Sequence, residues 1–154
     1  MVRAIIHWAT PPVKTFAVLL LSLTAATSTW GADWTPIATF PDGTSLSVDT
    51  ASISSSGQYR RGWFKLVALQ PAALPDNAVP NTNLPPGQGF KYIVEQFYAK
   101  CTKSRVALIQ GSFYGADDSL LGTLPTVPVR NSEFEEVPPG SVGDRIIRSL
   151  CKSK

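Results

Sequence analysis

Two cysteines are the residues of this chain with the widest choice of chemistry. Cys101 lies in an apolar, aromatic and β-branched stretch, KYIVEQFYAKCTKSRVALI, and Cys151 lies close to the C-terminal residue. A cysteine in such a setting can serve as a nucleophile, a metal ligand, a buried thiol or half of a disulfide. The chain has one histidine, His7, so the choice depends on whether that residue belongs to the mature protein.

The first 31 residues have the layout of a secretory signal peptide. Arg3 and Lys14 supply positive charge, an apolar run follows over residues 16–23, and small uncharged residues continue towards Gly31, where we expect cleavage. The alternatives are an N-terminal membrane anchor or a core helix, but the apolar run is far too short for a permanent membrane span. The cleavage zone holds no cysteine, which argues against a lipid anchor.

Loss of this segment removes most routes to catalysis and metal binding. His7 leaves with it, and Ser-His-Asp or Cys-His catalysis needs an imidazole. Two cysteines without histidine also cannot make a structural zinc site, which needs four ligands. In an exported chain we therefore expect a disulfide between Cys101 and Cys151, with two free buried thiols or a catalytic Cys101 as alternatives. We predict no catalytic residue, no metal site and no cofactor.

The charge of the chain changes with the signal peptide. The formal net charge is +3 at pH 7, and the loss of Arg3 and Lys14 lowers it to about +1. Six cations of the mature part can still gather on one face of a sheet: Arg60, Arg61, Lys65, Lys100, Lys103 and Arg105. A solvated sheet face explains them better than a nucleic-acid site, so we expect no nucleic-acid partner.

The elements that must position the cysteines are mostly β-strands. The runs WTPIATF and SLSVD flank the turn PDGT and predict a hairpin, and YRRGWFKLVALQ predicts a long strand. Residues 71–89 contain five prolines and almost no charge, which predicts a long loop without regular structure. FKYIVEQFYAKC and RVALIQGSFYG predict a second hairpin, in which Ile93, Phe97, Ala99 and Cys101 share one face.

The C-terminal part combines weaker strands with one helix. LLGTLPTVPV suits an edge strand because of Pro125 and Pro128, and NSEFEEV ends the β part. Ser141 is a suitable N-cap, with Asp144 in the first turn and Arg148 four residues later. An apolar face follows at helical spacing: Val142, Ile146, Ile147, Leu150 and Cys151. We expect this helix to dock on the sheet, so that both cysteines point inward.

Taken together, these stretches resemble the surface-adhesin protein E family. The resemblance rests on the order of several motifs: WTPIATF with SLSVDTASIS, the tryptophan strand YRRGWFKLV, the hairpin YAKCTKSRVALIQGSFYGADDSLLG and the ending EEVPPGSVGDRIIRSLC. It covers Trp34 to Cys151. It implies an α+β fold, a single domain with an antiparallel sheet of about six strands curved like a half-barrel. A C-terminal helix would pack on this sheet, joined to it by a disulfide between Cys101 and Cys151.

The resemblance also implies a domain organisation and a function. Residues 32–154 would form the surface-adhesin E-like domain, with a Pro-rich loop at 71–89, after a signal peptide at 1–31. The function implied is that of an exported, non-enzymatic binding protein of a Gram-negative-type bacterium, periplasmic, secreted or on the cell surface. Its partners would be extracellular or host matrix proteins such as vitronectin and laminin. No stable membrane span is expected after removal of the signal peptide.

Two surfaces are candidates for partner binding, the loop Pro71–Gly89 and the basic strand Tyr59–Lys65. A periplasmic envelope protein without adhesive function is an alternative. Another is a carrier of a small ligand such as haem, held by aromatic residues of the sheet: Tyr92, Tyr98, Tyr114, Trp63 or Phe97. Aromatic residues in a sheet more often belong to the core. An enzyme is disfavoured, because GSFYG lacks the spacing of a nucleophile elbow.

Overall fold

The computed structural model describes residues 31–83 and 87–152, which fold into a β-sheet with one α-helix. The strands are β1 Trp34–Thr39, β2 Ser45–Asp49, β3 Ser54–Ser56, β4 Tyr59–Ala72, β5 Val79–Pro80, β6 Phe90–Lys100, β7 Arg105–Tyr114, β8 Leu120–Leu124 and β9 Glu135–Glu136, and the helix is α1 Val142–Lys152. Residues 1–30, which carry almost all of the predicted signal peptide, lie outside the described residues.

The sheet is antiparallel throughout and is not closed. Its main path is β1-β2-β4-β6-β7-β8-β5, with β3 beside β4 and β9 beside β7. Six strands have five residues or more, as the predicted number requires, but β3, β5 and β9 bring the total within the described residues to nine. Strands of two or three residues leave no measurable period-two pattern in a sequence, so they escape prediction. The half-barrel curvature stays a prediction.

The predicted N-terminal hairpin is present. β1 and β2 pair from Trp34 with Asp49 to Thr39 with Ser45. In the turn, the Phe40 amide donates to the Thr44 carbonyl over 2.8 Å, and the Gly43 amide donates to the Phe40 carbonyl over 2.9 Å. Gly43 has φ +80°, a left-handed conformation that a glycine adopts without strain. The Pro-Asp-Gly sequence therefore forms the predicted turn, because its glycine can adopt this left-handed conformation.

The prediction of an irregular loop over residues 71–89 is wrong in two places. β4 continues through Ala72, and Val79 and Pro80 form β5 by pairing with Thr123 and Gly122 of β8. Pro71 lies where the pairing of β4 with β6 is irregular, between Val67 and Ala72, and Pro80 lies in the edge strand β5. A proline is tolerated at both kinds of position, because no regular ladder hydrogen bond is lost. β8 itself ends at Leu124, before Pro125, so the predicted edge strand is shorter than expected and β5 forms the edge instead.

The main core lies between the sheet and α1. Its buried members are Leu46, Val48, Phe64, Ala99, Ile146, Ile147 and Leu150. Phe64 of β4 is 1% exposed, and Leu150 of α1 is fully buried. A Cβ atom on Gly62 would lie 3.0 Å from Leu150 Cδ2, so this glycine lets the helix approach β4 closely. The predicted apolar face of the helix is therefore the face that docks.

The start of α1 also follows the prediction. The Asp144 amide donates to Ser141 Oγ over 3.2 Å, which makes Ser141 the N-cap. One oxygen of Asp144 accepts from the Gly140 amide at 3.0 Å, and the other pairs with Arg148 Nε at 2.8 Å. These bonds, the one from Arg148 first, lower the pKa of the Asp144 carboxyl, which keeps it ionised at the positive end of the helix.

A disulfide joins the end of β6 to the last turn of α1. The Cα atoms of Cys101 and Cys151 are 5.6 Å apart across 50 residues of sequence. Cys151 packs against the main core, but Cys101 is exposed in a 3₁₀ turn, Cys101–Lys103. The prediction that both cysteines point inward is therefore wrong for Cys101, because β6 ends one residue earlier, at Lys100, and the chain turns away from the sheet.

Candidate binding surface

The central strands β4, β6 and β7 have one face that α1 does not cover. Residues opposite each other in antiparallel strands point to the same side, and neighbours in sequence point to opposite sides. Because Phe64 faces α1, Trp63 and Lys65 face the other way. We call this second surface the open face, and its members by register are Trp63, Lys65, Tyr92, Val94, Gln96, Gln110, Ser112 and Tyr114. All of them are half-buried.

A ladder of a cation and two rings crosses the open face. Lys65 Nζ lies 4.0 Å from the centroid of the Tyr92 ring, and Tyr92 stacks on Tyr114 with 4.9 Å between ring centroids and 11° between ring planes. Such a cation–π contact is worth about 0.5–1 kcal/mol at an exposed site. The ladder therefore holds three side chains from three neighbouring strands in one arrangement.

The hydroxyl of Tyr92 is fixed by a carboxylate. It donates to Asp118 Oδ1 over 2.8 Å. Partial burial, followed by the hydrogen bond and the negative charge of Asp118, raises the pKa of Tyr92 to about 12. Asp118 has φ +63°, so a left-handed turn residue brings its side chain to the ladder. This phenol therefore stays neutral and acts as a hydrogen-bond donor.

A second ladder, made of amides, lies next to the first one. Gln110 Nε2 donates to Gln96 Oε1 over 3.1 Å, and Thr126 Oγ1 donates to Gln110 Oε1 over 3.2 Å. Trp63 is directly opposite Gln96 on β4. The open face thus combines aromatic rings, one cation and uncharged polar groups over three adjacent strands.

The open face ends where a small second core begins. Tyr98, Ala107 and Ile109 are buried there beneath Tyr59, Val129 and Phe134. Tyr59 stacks on Phe134 with centroids 5.3 Å apart, and Lys100 Nζ lies 3.9 Å from the centroid of the Phe134 ring. The segment that carries Phe134 therefore covers this end of the sheet, and only the ladder end stays accessible.

The six cations expected on one face are divided by the fold. By register Arg61, Lys65, Lys100 and Arg105 point to the side of the open face, whereas Arg60 points to α1. Lys103 is exposed in the turn after β6.

Most of these cations hold the fold together. Arg60 Nε donates to the carbonyl of Leu150 over 3.1 Å, which satisfies an acceptor in the last turn of the helix. Arg61 donates to the Tyr98 hydroxyl over 3.2 Å, and Arg105 pairs with Glu136 at 2.6 Å. Of the predicted basic strand Tyr59–Lys65, only Trp63 and Lys65 belong to the open face.

The described part of the loop Pro71–Gly89 runs from the end of β4 to the far edge of the sheet, and its Asn77 lines a pocket together with Gln110 of the open face. The Asn81 amide donates to the Leu121 carbonyl over 2.8 Å, and its side-chain nitrogen donates to the Leu120 carbonyl over 2.9 Å. Val79 in this segment is 58% exposed. The loop therefore approaches the open face at Gln110 of β7, whereas the basic strand Tyr59–Lys65 contributes to that face from β4.

The aromatic residues considered for haem binding are not brought together. Phe97 meets Phe64 on the side of α1, with ring centroids 5.8 Å apart, and Tyr98 is buried in the second core. Only Trp63, Tyr92 and Tyr114 share the open face. The raised pKa of Tyr92 also disfavours the phenolate that iron ligation needs. The arrangement is that of a polar and aromatic contact surface.

Three residues of the site are absent from the sequence predictions: Asp118, Gln96 and Gln110. Period-two alternation along FKYIVEQFYAK places Gln96 on the face of Tyr92, so that signal was available. Asp118 has no such local signal, because its contact with Tyr92 spans 26 residues of sequence. Long-range contacts of this kind depend on the strand register, which no local pattern reveals.

No group of three or more metal-ligating residues comes together among residues 31–83 and 87–152. Within the same residues, no helix has the length and apolar character that crossing a membrane requires.

The fold and the surface define a class: a small antiparallel sheet backed by one helix, disulfide-linked, with an aromatic and polar open face. A family model for surface-adhesin protein E matches residues 34–152, so the chain belongs to the surface-adhesin protein E family. The solved structure of protein E from Haemophilus influenzae (crystal form II) is similar at 12% sequence identity, with a TM-score of 0.47, over 70% of this chain and 80% of that chain. No curated protein matches the sequence.

Proposed function

We propose that this chain is an exported, non-enzymatic binding protein that attaches to an extracellular protein of a host through its open face. Membership of the surface-adhesin protein E family supports an adhesin-type role. The observation that carries the choice of surface is the ladder of Lys65, Tyr92 and Tyr114, which stands half-exposed on the long central strands.

The composition of the open face suits a protein partner. Tyrosine and tryptophan are enriched at the centres of protein interfaces, because each offers a large apolar area with a polar tip and few rotatable bonds. Trp63, Tyr92 and Tyr114 supply these groups, and the ladder contacts hold two of them in place before any partner arrives. Side chains ordered in advance lose less conformational entropy on binding.

An export route and an oxidising compartment are part of the proposal. The Cys101–Cys151 disulfide supports it, since disulfides persist in the periplasm and outside the cell but are rare in the cytosol. Protease treatment of intact cells tests the location. Cleavage of the chain on intact cells supports surface display, whereas protection until the outer membrane is opened indicates a periplasmic protein without adhesive contact.

Binding to immobilised vitronectin and laminin tests the function itself. We expect the variant Trp63→Ala with Tyr114→Ala to weaken binding on the order of tenfold or more, as for interface aromatic residues in general. The matched control is Lys103→Ser, an exposed cation outside the open face, which should bind like the wild type. Equal binding by all three proteins would exclude the open face as the contact surface.

The loop Pro71–Gly89 remains a second contact surface to test, but its complete deletion is not a clean experiment. Such a deletion removes β5 and the bonds of Asn81 to β8. We expect it to destabilise the sheet edge and not merely to shorten a loop. Val79→Ser changes an exposed side chain of the same segment and leaves the backbone pairing intact, so a loss of binding in this variant would place a partner at that edge.

A further inference from the structure

A groove runs between α1 and the first two strands, on the side of the sheet opposite the open face. It has a volume of about 450 Å³ and is open to solvent. Ile37, Val48 and Ile53 form its apolar floor. Val48 is only 3% exposed, so the floor is continuous with the main core. A volume of this size lies within the usual range of ligand sites, about 300–1,000 Å³.

One wall of the groove is a row of cations on the helix. Arg145, Arg148 and Lys152 line it, spaced three and four residues apart, so they follow one stripe of α1 over about 10 Å. No acidic side chain lines the groove. Arg148 is paired with Asp144, whereas neither Arg145 nor Lys152 forms an ion pair within residues 31–83 and 87–152.

Two carboxylates beside the groove-lining residue Thr50 are occupied by local bonds. Asp33 Oδ2 accepts from the Thr50 hydroxyl at 2.7 Å, and Asp49 Oδ1 accepts from the Asp33 and Ala51 amides at 3.1 and 3.2 Å. They fix the turn after β2, and neither forms an ion pair within residues 31–83 and 87–152. The wall on α1 therefore sets three cations against one carboxylate, Asp144, which pairs with Arg148 and also interacts electrostatically with Arg145.

We infer that this groove binds an acidic segment of a partner protein, with an apolar side chain on the floor and carboxylates along the row of cations. Charge complementarity sets the choice of occupant. A single anionic head group would meet one or two of the cations, whereas carboxylates spaced along a peptide can meet all three over the length of the row. This site is separate from the open face, and it goes beyond the proposed function by adding a second partner surface.

Fluorescence anisotropy with a labelled peptide, Glu-Leu-Glu-Glu-Leu-Glu, tests the inference on the purified disulfide-bonded protein. We expect saturable binding that weakens as ionic strength rises, and much weaker binding of the same peptide with glutamine in place of glutamate. The double variant Arg145→Ser with Lys152→Ser should lose affinity on the order of tenfold. Both residues are exposed, so folding should be unaffected, which circular dichroism checks.

A charge-reversal variant tests the inference by a gain of binding and not only by a loss of binding. The variant Arg145→Glu with Lys152→Glu should bind the peptide Lys-Leu-Lys-Lys-Leu-Lys in preference to the acidic one. The control variant Lys65→Ser, on the open face, should leave binding of the acidic peptide unchanged while it weakens vitronectin or laminin binding. The two proposals can therefore fail separately.

Three results would overturn the inference. The first is equal binding of the glutamate and glutamine peptides. The second is unchanged affinity in the Arg145→Ser and Lys152→Ser variant. The third is binding of laurate or of anionic vesicles to the wild type, lost in the Arg145→Ser with Lys152→Ser variant, while the peptide does not bind. That result would assign the groove to a lipid.

Discussion

The two faces of the sheet are built from neighbouring residues but differ in how deeply those residues are buried. On the helix side, Phe64 is almost completely buried against α1, and on the open side Trp63, one residue earlier, remains half-exposed beside Gln96. Burial of apolar area is worth about 25 cal/mol per Å², so stability comes mainly from the helix side. The open face keeps large side chains at little cost in stability, which leaves them available to a partner.

The largest expected effect separates the two faces directly. Phe64→Ala should lower the free energy of unfolding by about 3–5 kcal/mol, because it leaves a cavity beneath α1. Trp63→Ala should cost far less, since Trp63 is half-exposed and belongs to the open face. Urea denaturation of both variants measures the difference, and equal losses would show that the open face is also a core surface.

The second-largest change in the free energy of unfolding is expected from loss of the disulfide. Replacing Cys101 and Cys151 together by serine should lower the free energy of unfolding by about 2–4 kcal/mol, mainly because the unfolded chain regains the freedom of its closed loop. Secondary structure should survive at low temperature, as the main core does not need the bond. A change in the urea midpoint of less than a tenth would contradict this role. The native protein should also show no reactive thiol when denatured without a reductant.

A carboxyl group on the helix side should make the stability of the fold depend on pH. Glu95 lies opposite Phe64 and Gly111, and burial raises its pKa to about 7 from 4.5. The folded protein therefore holds this proton more tightly than the unfolded chain does. Stability should fall as the pH rises through about 4.5 to 7, and the full penalty should be present above pH 7.

Glu95→Gln removes that penalty. The variant should exceed the wild type in stability above pH 7, by at most about 3 kcal/mol, and should match it near pH 4. Gln96→Glu provides the control, because it places a carboxylate on the open face, away from α1, and it should give a much weaker pH dependence. Thermal unfolding across the pH range measures both. A constant difference between Glu95→Gln and the wild type at every pH would rule out the titration.

A smaller effect concerns the start of the covering helix. Ser141→Ala should cost about 1 kcal/mol, because the Asp144 amide loses its acceptor at the N-cap. Ser141→Asp should keep most of the stability, since a carboxylate is also a good cap. If alanine and aspartate were equally tolerated, water would be satisfying this amide.

The smallest effect is expected on the open face. Asp118→Asn removes the charge that faces the Tyr92 hydroxyl, so the pKa of Tyr92 should move from about 12 towards 10 while stability changes little. Spectroscopic titration of the tyrosines measures it, with Asp117→Asn as the neighbouring control. An unchanged titration would mean that burial alone sets this pKa.

Local sequence signals account for the helix side better than for the open side. The turn at Gly43 and the cap at Ser141 each depend on a few neighbouring residues, so their chemistry is visible in the sequence. The apolar face of α1 follows from helical spacing, and it places Ile146 and Leu150 in the core as predicted.

The features that escape prediction depend on register and on chain ends. β5 forms because β8 offers a partner edge, and no pattern within Val79–Pro80 predicts a strand. The exposure of Cys101 depends on β6 stopping one residue earlier. Two hydrogen bonds join residues that are far apart in sequence. One links Tyr92 to Asp118, and the other links Arg60 to the Leu150 carbonyl at the end of α1.

The disulfide also determines which part of the fold would carry a pulling force. Cys101 stands at the end of β6 and Cys151 in the last turn of α1, so the bond encloses β7, β8, β9 and the helix in one covalent loop. A pulling force that enters from the C-terminal side of Cys151 passes directly to the end of β6. The helix is therefore shielded from peeling, and the load falls on the hydrogen-bonded ladder between β4 and β6, which includes the open face.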